Sequence, residues 1–120
     1  MPKNKPDEWS PEAERMASNV GRVIVEIRSK ERGSMAQREL ARRSGLTQSY
    51  LSVIEHGNAN MTMPTLLKIC EALQVSVAEV LLRAEFIDRE LTGTERGFVS
   101  FTLGILQDLY TARHDQPASA

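Results

Sequence analysis

One face of a short helical segment is the first place where this sequence could do chemistry. The segment is LARRSGLTQSYLSVIEHG, residues 40–57, and at helical spacing its outward face is formed by the side chains of Gln48, Ser49, Tyr50, Ser52 and Val53. The face is polar where it begins and carries no acid that would repel a phosphate. Amides and hydroxyls offer paired hydrogen-bond donors and acceptors, so the chemistry expected here is recognition.

Basic residues are concentrated before and within this segment. Between residues 28 and 43 the only acids are Glu31 and Glu39, whereas the bases are Arg28, Lys30, Arg32, Arg38, Arg42 and Arg43. After residue 83 acids outnumber bases, so one region of the chain is suited to face an anion and the other is not. The formal net charge of -1 argues against nonspecific coating of nucleic acid, which needs a surplus of Lys and Arg. Taken singly, the arginines at 38, 42 and 43 are expected to be solvated.

Other classes of site find little support. The single Cys70 cannot form an internal disulfide and is expected to be a buried, unreactive thiol, and no Cys and His set has metal-ligand spacing. There is no catalytic triad pattern or phosphate loop, and His114 falls in the expected tail. We therefore predict no enzyme activity, metal or cofactor. No apolar run is long enough for a bilayer and no signal peptide is visible, which predicts a soluble, cytoplasmic protein.

The outward face must be positioned by the two short helices on either side of a turn. Ala41 supplies a small residue where the helix axes approach, and Gly45 supplies the residue where the backbone turns. Thr47 then caps a third helix that runs to about Glu55. The apolar residues that hold this pair from beneath are Leu40, Leu46, Leu51 and Ile54.

Three further helices are predicted around this pair. The first begins at the Ser-Pro pair 10–11 and is ended by Gly33. A fourth begins at residues 62–64, and a fifth begins at Ser76, where Glu79 completes a capping box. Five helices without a strand pattern predict an all-α fold.

The segment after residue 91 can be read in two ways. Apolar residues alternate from Val99 to Ile105 as in a strand, yet at 100° per residue the apolar side chains of 98–110 fill one wide arc. A sixth helix is the favoured interpretation. An arc that wide cannot remain in water without becoming an association surface, so part is expected to cover the core and part to join two subunits.

From about Val20 to Arg83 the sequence resembles the Cro and phage-repressor type helix-turn-helix family, also called the Xre family. The resemblance is carried by AQRELARRSGLTQSYLSVIEHG followed by TLLKICEALQVSVAEVL, which spans four helices. It implies a five-helix, lambda-repressor-like DNA-binding domain, usually dimeric, whose third helix enters the major groove. The expected organisation is a flexible arm at 1–9, this domain at 10–91, a dimerising helical extension at 92–113 and a disordered tail at 114–120.

The resemblance also implies roles for particular residues. Gln37 and Gln48 act together at the DNA, base contacts come from Ser49, Ser52 and Val53, and phosphate contacts lie near Arg43. The full set of expected DNA-binding residues is Gln37, Arg43, Thr47, Gln48, Ser49, Tyr50, Ser52, Val53, His56 and Asn58. Glutamine matches the N6 and N7 edge of adenine, Val53 suits a thymine methyl, and the absence of arginine on this face predicts a weaker preference for G·C pairs.

Two positions depart from the pattern or extend it. Ala36 stands where the family usually has a capping Ser or Thr, so Ser34 is expected to cap the second helix, with Gln37 as its partner in a capping box. Such a bond would leave Gln37 partly occupied by its own helix. The family often pairs an arginine of the first helix with a glutamate near the end of the third, and Arg28 with Glu55 is the expected pair.

These features predict a sequence-specific regulator that binds double-stranded DNA. The expected form is a repressor that binds a near-palindromic operator as a homodimer, with third helices about 34 Å apart. One alternative is an antitoxin-like protein that neutralises a partner protein and regulates its own synthesis. Another is a helical domain that binds only protein, in which Gln37 and Gln48 are merely solvated, and a small-molecule sensor is the weakest alternative.

Overall fold

The computed structural model describes residues 9–115, and all regular structure in that range is helical. The elements are α1 (Pro11–Glu26) with a π-helical continuation (Ile27–Glu31), α2 (Gln37–Ser44), α3 (Gln48–Glu55), α4 (Met63–Leu73), α5 (Val77–Phe86) and α6 (Gly93–His114). The predicted all-helical fold is confirmed, with a helix over 98–110. The arm predicted at 1–9 and the tail predicted at 114–120 lie outside the described residues except for Trp9, His114 and Asp115, and His114 is the last residue of α6.

Ser10, Thr47 and Ser76 cap α1, α3 and α5 as the sequence predicts. Each hydroxyl accepts a hydrogen bond from the backbone N–H three residues later. The predicted return bond of the Ser76 capping box is wrong. The buried carboxylate of Glu79 instead accepts hydrogen bonds from Arg83 and Gln107.

The chain enters α2 without a side-chain cap. Ala36 is the N-cap residue, and the predicted cap by Ser34 is wrong because Ser34 lies in the left-handed region at φ 58°. The preceding Gly33 has φ 67°, so two successive residues turn the chain. The regular part of α1 also ends earlier than the predicted stop at Gly33, because its last residues form the wider π-helical segment.

The core is built around the middle of α1, which packs against α3 and α5, while α2 packs against α3 and α4. The largest fully buried side chains are Val23, Ile24, Ile27, Leu40, Leu51, Ile69, Leu73 and Val80. Cys70 is buried among them, and burial together with the nearby charge of Glu79 raises the pKa of its thiol to about 11. Such a thiol is protonated at neutral pH and is a poor nucleophile.

Two glycines let α1 and the end of α3 touch backbone to backbone. A Cβ on Gly21 would lie 2.5 Å from the carbonyl oxygen of Glu55, and a Cβ on Gly57 would lie 2.6 Å from the Cα of Ser18. Gly57 also has φ 77°, which favours glycine. The sequence did not indicate this contact, although it correctly placed a turn at Gly45, whose φ is 73°.

The last helix, α6, lies against α5 and has no buried residue. Leu103, Leu106 and Tyr110 are half-buried. Within residues 9–115 the only hydrogen bond from α6 to the other helices joins Gln107 Nε2 to Glu79 Oε2 at 3.2 Å. None of the helices in this range has the length and apolar content that a bilayer crossing would require.

Candidate nucleic-acid interface

The outward face of α3 is open to solvent at its start and anchored at its middle. Gln48 and Ser49 are exposed, whereas Tyr50, Ser52 and Val53 are half-buried. Tyr50 and Val53 pack partly against the core, and this contact fixes the orientation of α3. The exposed part of the face is therefore the first turn of α3.

A chain of hydrogen bonds runs from the interior to this first turn. Arg28 Nε and Nη2 donate to Glu55 Oε2 and Oε1 at 2.7 and 2.9 Å. Gln37 Nε2 donates to the same Glu55 Oε1 at 2.8 Å, and Gln48 Nε2 donates to Gln37 Oε1 at 3.3 Å. The structure thus brings Gln37 and Gln48 together at the N-terminal ends of α2 and α3.

The chemistry of Glu55 orients both amides. An ionised carboxylate only accepts hydrogen bonds, so Gln37 must turn its NH₂ group toward Glu55 and its oxygen toward Gln48. Gln48 then spends one N–H on Gln37 and keeps its second N–H and its carbonyl oxygen. That remaining pair is the donor and acceptor combination that fits the edge of adenine. The predicted capping-box bond of Gln37 is wrong, because the amide of Gln37 is occupied by Glu55 and not by its own helix end.

The predicted pair between Arg28 and Glu55 is confirmed and is mostly buried. The side chain of Glu55 is 3% exposed and that of Arg28 is 15% exposed. Arg28 Nη1 also donates to the carbonyl oxygen of Met35 at 3.1 Å, which fixes the segment before α2. The contact of Glu55 with Gln37 was missed, because nothing in the sequence signals which buried carboxylate an amide will meet.

Arg42 and Arg43, at the end of α2, are exposed as predicted, but each is also engaged in an ion pair, which was not predicted. Arg42 and Arg43 both bind Glu39, with 2.6 Å between Arg43 Nε and Glu39 Oε2. The two guanidinium groups hold the pKa of Glu39 down at about 2, so the carboxylate stays ionised at neutral pH. Half of the Arg43 side chain remains exposed, so it can still approach an anion.

The remaining predicted contact residues lie at the two ends of α3. Thr47 is exposed at the N-terminal end, where its Oγ1 accepts from the N–H of Tyr50 at 3.1 Å. His56 and Asn58 are exposed at the C-terminal end. His56 Nδ1 lies 2.7 Å from the carbonyl oxygen of Ser52, which places the ring hydrogen on Nδ1 because a carbonyl only accepts. A hydrogen bond from Nε2 to a phosphate would therefore require a protonated ring.

Comparison with known proteins covers the same region. A helix-turn-helix family model matches residues 30–80. Two curated relatives from Sinorhizobium fredii are uncharacterized HTH-type transcriptional regulators. The one called y4dL is 36% identical over 63 residues, which span 52% of this chain and 32% of the relative. The one called y4dJ is 39% identical over 66 residues, which span 55% of this chain and 83% of the relative.

Solved structures extend the likeness beyond that region. Two crystal structures of the clp gene regulator ClgR from Corynebacterium glutamicum match with a TM-score of 0.55 each. One is 31% identical and covers 58% of this chain and 87% of that chain. The other is 25% identical and covers 84% of this chain and 96% of that chain. With its exposed third helix following a glycine turn, the chain belongs to the Xre-type helix-turn-helix family of transcriptional regulators.

Proposed function

We propose that this regulator is a sequence-specific repressor that binds a near-palindromic operator as a homodimer and acts by occupying that site. The first five helices, residues 10–91, form a lambda-repressor-like DNA-binding domain, and residues 92–113 form the dimerising extension. Two copies place their α3 helices in successive major grooves about 34 Å apart.

One observation supports base reading above all others: Gln48 is exposed at the start of α3 while its amide is oriented by the chain through Gln37 and Glu55. A side chain whose rotamer is set before binding loses less entropy on contact than a free one. Gln48 is therefore assigned to adenine, and Ser49 to the neighbouring base. Arg43, Thr47, Tyr50, His56 and Asn58 are assigned to the phosphates on either side.

Base reading and phosphate binding are separated by comparing two variants on duplexes selected from a random pool. The double variant Gln48→Ala with Ser49→Ala is expected to lose preference among sequences, at about 1–3 kcal/mol per base contact. Arg43→Ala is expected to weaken binding to all duplexes alike and to flatten the salt dependence. Affinities measured by fluorescence anisotropy at several salt concentrations give both the preference among sequences and the salt dependence.

Ser100→Ala and Arg96→Ala, two exposed positions on α6, serve as matched controls and should change neither property. An equal loss on every duplex in both test variants would contradict the division of roles. Failure of the unchanged protein to bind duplexes at low salt would contradict DNA binding itself.

The homodimer is proposed on the exposed apolar side of α6. Phe98, Phe101, Ile105 and Leu109 recur at helical spacing and are 67%, 69%, 44% and 62% exposed. Because an aromatic side chain alone buries about 150–250 Å², pairing two copies of this stripe would bury on the order of 1,000 Å², about the smallest area expected of a specific interface. The apolar residues thus offer a self-complementary surface.

The double variant Phe98→Ser with Phe101→Ser is expected to sediment as a monomer where the unchanged chain sediments as a dimer, because it removes most of the apolar stripe. Met63→Ser is the control, since Met63 is exposed on α4 and lies outside the stripe. A dimer that survives the double change, or an unchanged chain that is monomeric, would contradict this assignment.

The matched proteins carry the names of transcriptional regulators, which favours the regulator over the antitoxin-like alternative. Regulators of this family are typically not enzymes.

A further inference from the structure

We propose that Arg22 and Lys30, on the exposed side of α1 and its π-helical continuation, bind phosphates of the DNA backbone and extend the interface beyond α2 and α3. The inference rests on the proposed DNA-binding function. It assigns a contact to a part of the molecule that neither the helix-turn-helix pattern nor the predicted set of contact residues includes.

The two cations line a surface depression of about 290 Å³, together with Val25, Glu26, Ser29 and Glu55. Both acids in that depression already have a cationic partner, although Glu26 shares its partner with Glu31 and Glu79. Glu26 Oε1 is 3.0 Å from Arg83 Nη2, and Glu55 holds Arg28. With Glu55 balanced by Arg28, the two cations Arg22 and Lys30 outnumber the one remaining acid, Glu26, and this positive balance favours an anionic occupant.

Most other arginines near this surface are engaged. Arg83 is shared by three carboxylates, Arg42 and Arg43 bind Glu39, and Arg32 donates to the carbonyl oxygen of Leu73 at 2.6 Å. Arg22 and Lys30 are exposed and take part in no ion pair within residues 9–115. A cation without a carboxylate partner gains more binding free energy from a phosphate than a cation that must first give up an ion pair.

The position of the depression favours a DNA phosphate as the anion. Its wall includes Glu55, which accepts a hydrogen bond from Gln37, and Gln37 accepts one from Gln48, so the depression is joined through one shared residue to the amide pair assigned to the base edge. Eight residues separate them along the helix, roughly 12 Å at 1.5 Å per residue. A DNA strand carries one charge about every 3.4 Å along the axis, so a strand passing the start of α3 offers each cation a separate phosphate.

The test is the salt dependence of duplex binding by the double variant Arg22→Ala with Lys30→Ala. Losing two phosphate contacts in each subunit, four in the proposed dimer, is expected to reduce the slope of log affinity against log salt by about 3.6. Affinity at moderate salt should fall about tenfold on selected and unselected duplexes alike, with base preference unchanged. The conservative pair Arg22→Lys with Lys30→Arg should keep the original slope, because it keeps both charges.

Lys68→Ala is the control, since this cation is also exposed and without an ion pair between residues 9 and 115, but lies on α4. It should leave the slope unchanged. An unchanged slope in the Arg22 and Lys30 variant, or an equal reduction in the control, would overturn the inference while DNA binding by α3 stands. If the unchanged protein binds no duplex, the proposed DNA-binding function is contradicted, and the inference that rests on it falls with it.

Discussion

Replacing Glu55 by alanine is expected to lower the free energy of unfolding by about 3–5 kcal/mol, because it leaves the mostly buried guanidinium of Arg28 without its carboxylate. Gln37 loses its acceptor in the same change. Chemical denaturation with urea, followed by circular dichroism, measures the loss as a lower midpoint.

Two further variants separate the cost of the unpaired buried charge from the cost of lost packing. Glu39→Ala removes a carboxylate from an exposed pair and should cost less than about 1 kcal/mol. The double change Arg28→Met with Glu55→Leu removes both charges and should be less destabilised than Glu55→Ala alone, since no uncompensated ion remains. A Glu55→Ala midpoint close to that of Glu39→Ala would show that the pair is not buried.

Adding one methyl group at Gly21 is expected to cost about 3 kcal/mol, the upper end of the usual range for overpacking. The new Cβ would lie 2.5 Å from a backbone oxygen of Glu55 and 2.7 Å from one of Ile54, so α1 and α3 must move apart. Thermal unfolding of Gly21→Ala measures the cost, and duplex affinity should fall with it because α3 is displaced.

The control for Gly21→Ala is Gly104→Ala, in the middle of α6. A Cβ at Gly104 meets no heavy atom within 4 Å, so alanine there should be neutral or stabilising by up to about 1 kcal/mol through helix propensity. If both glycines tolerate alanine equally, the backbone contact between α1 and α3 is looser than the structure indicates.

The sequence predicts this fold well where structure is local. Ser10, Thr47 and Ser76 cap helices as expected because an N-cap is decided by residues three apart. The same kind of signal was overlooked at Thr92, which forms a full capping box with Glu95. Ser34 shows the limit of the rule, since a good capping residue does not cap when the backbone places it in the left-handed region.

The site is less predictable because it depends on contacts between distant segments. The pair of Arg28 and Glu55 was expected only from the family resemblance, and the additional bond of Glu55 to Gln37 was not expected at all. The close approach at Gly21 was also missed, since one glycine in a helical pattern does not show which backbone it will meet. The pairs of Glu39 with Arg42 and Arg43 are a different case, because their spacing of three and four residues on one helix was a local signal that was overlooked in the sequence.

The direct contact of two main chains has a mechanical consequence for recognition. Where side chains separate two helices, rotamer changes allow small sliding movements, but at Gly21 and Gly57 no side chain lies between α1 and the end of α3. We therefore expect α1 and α3 to move together as one rigid body. In the proposed complex this stiffness adds to the hydrogen bonds through Gln37 and Glu55 in holding Gln48 in place against its base.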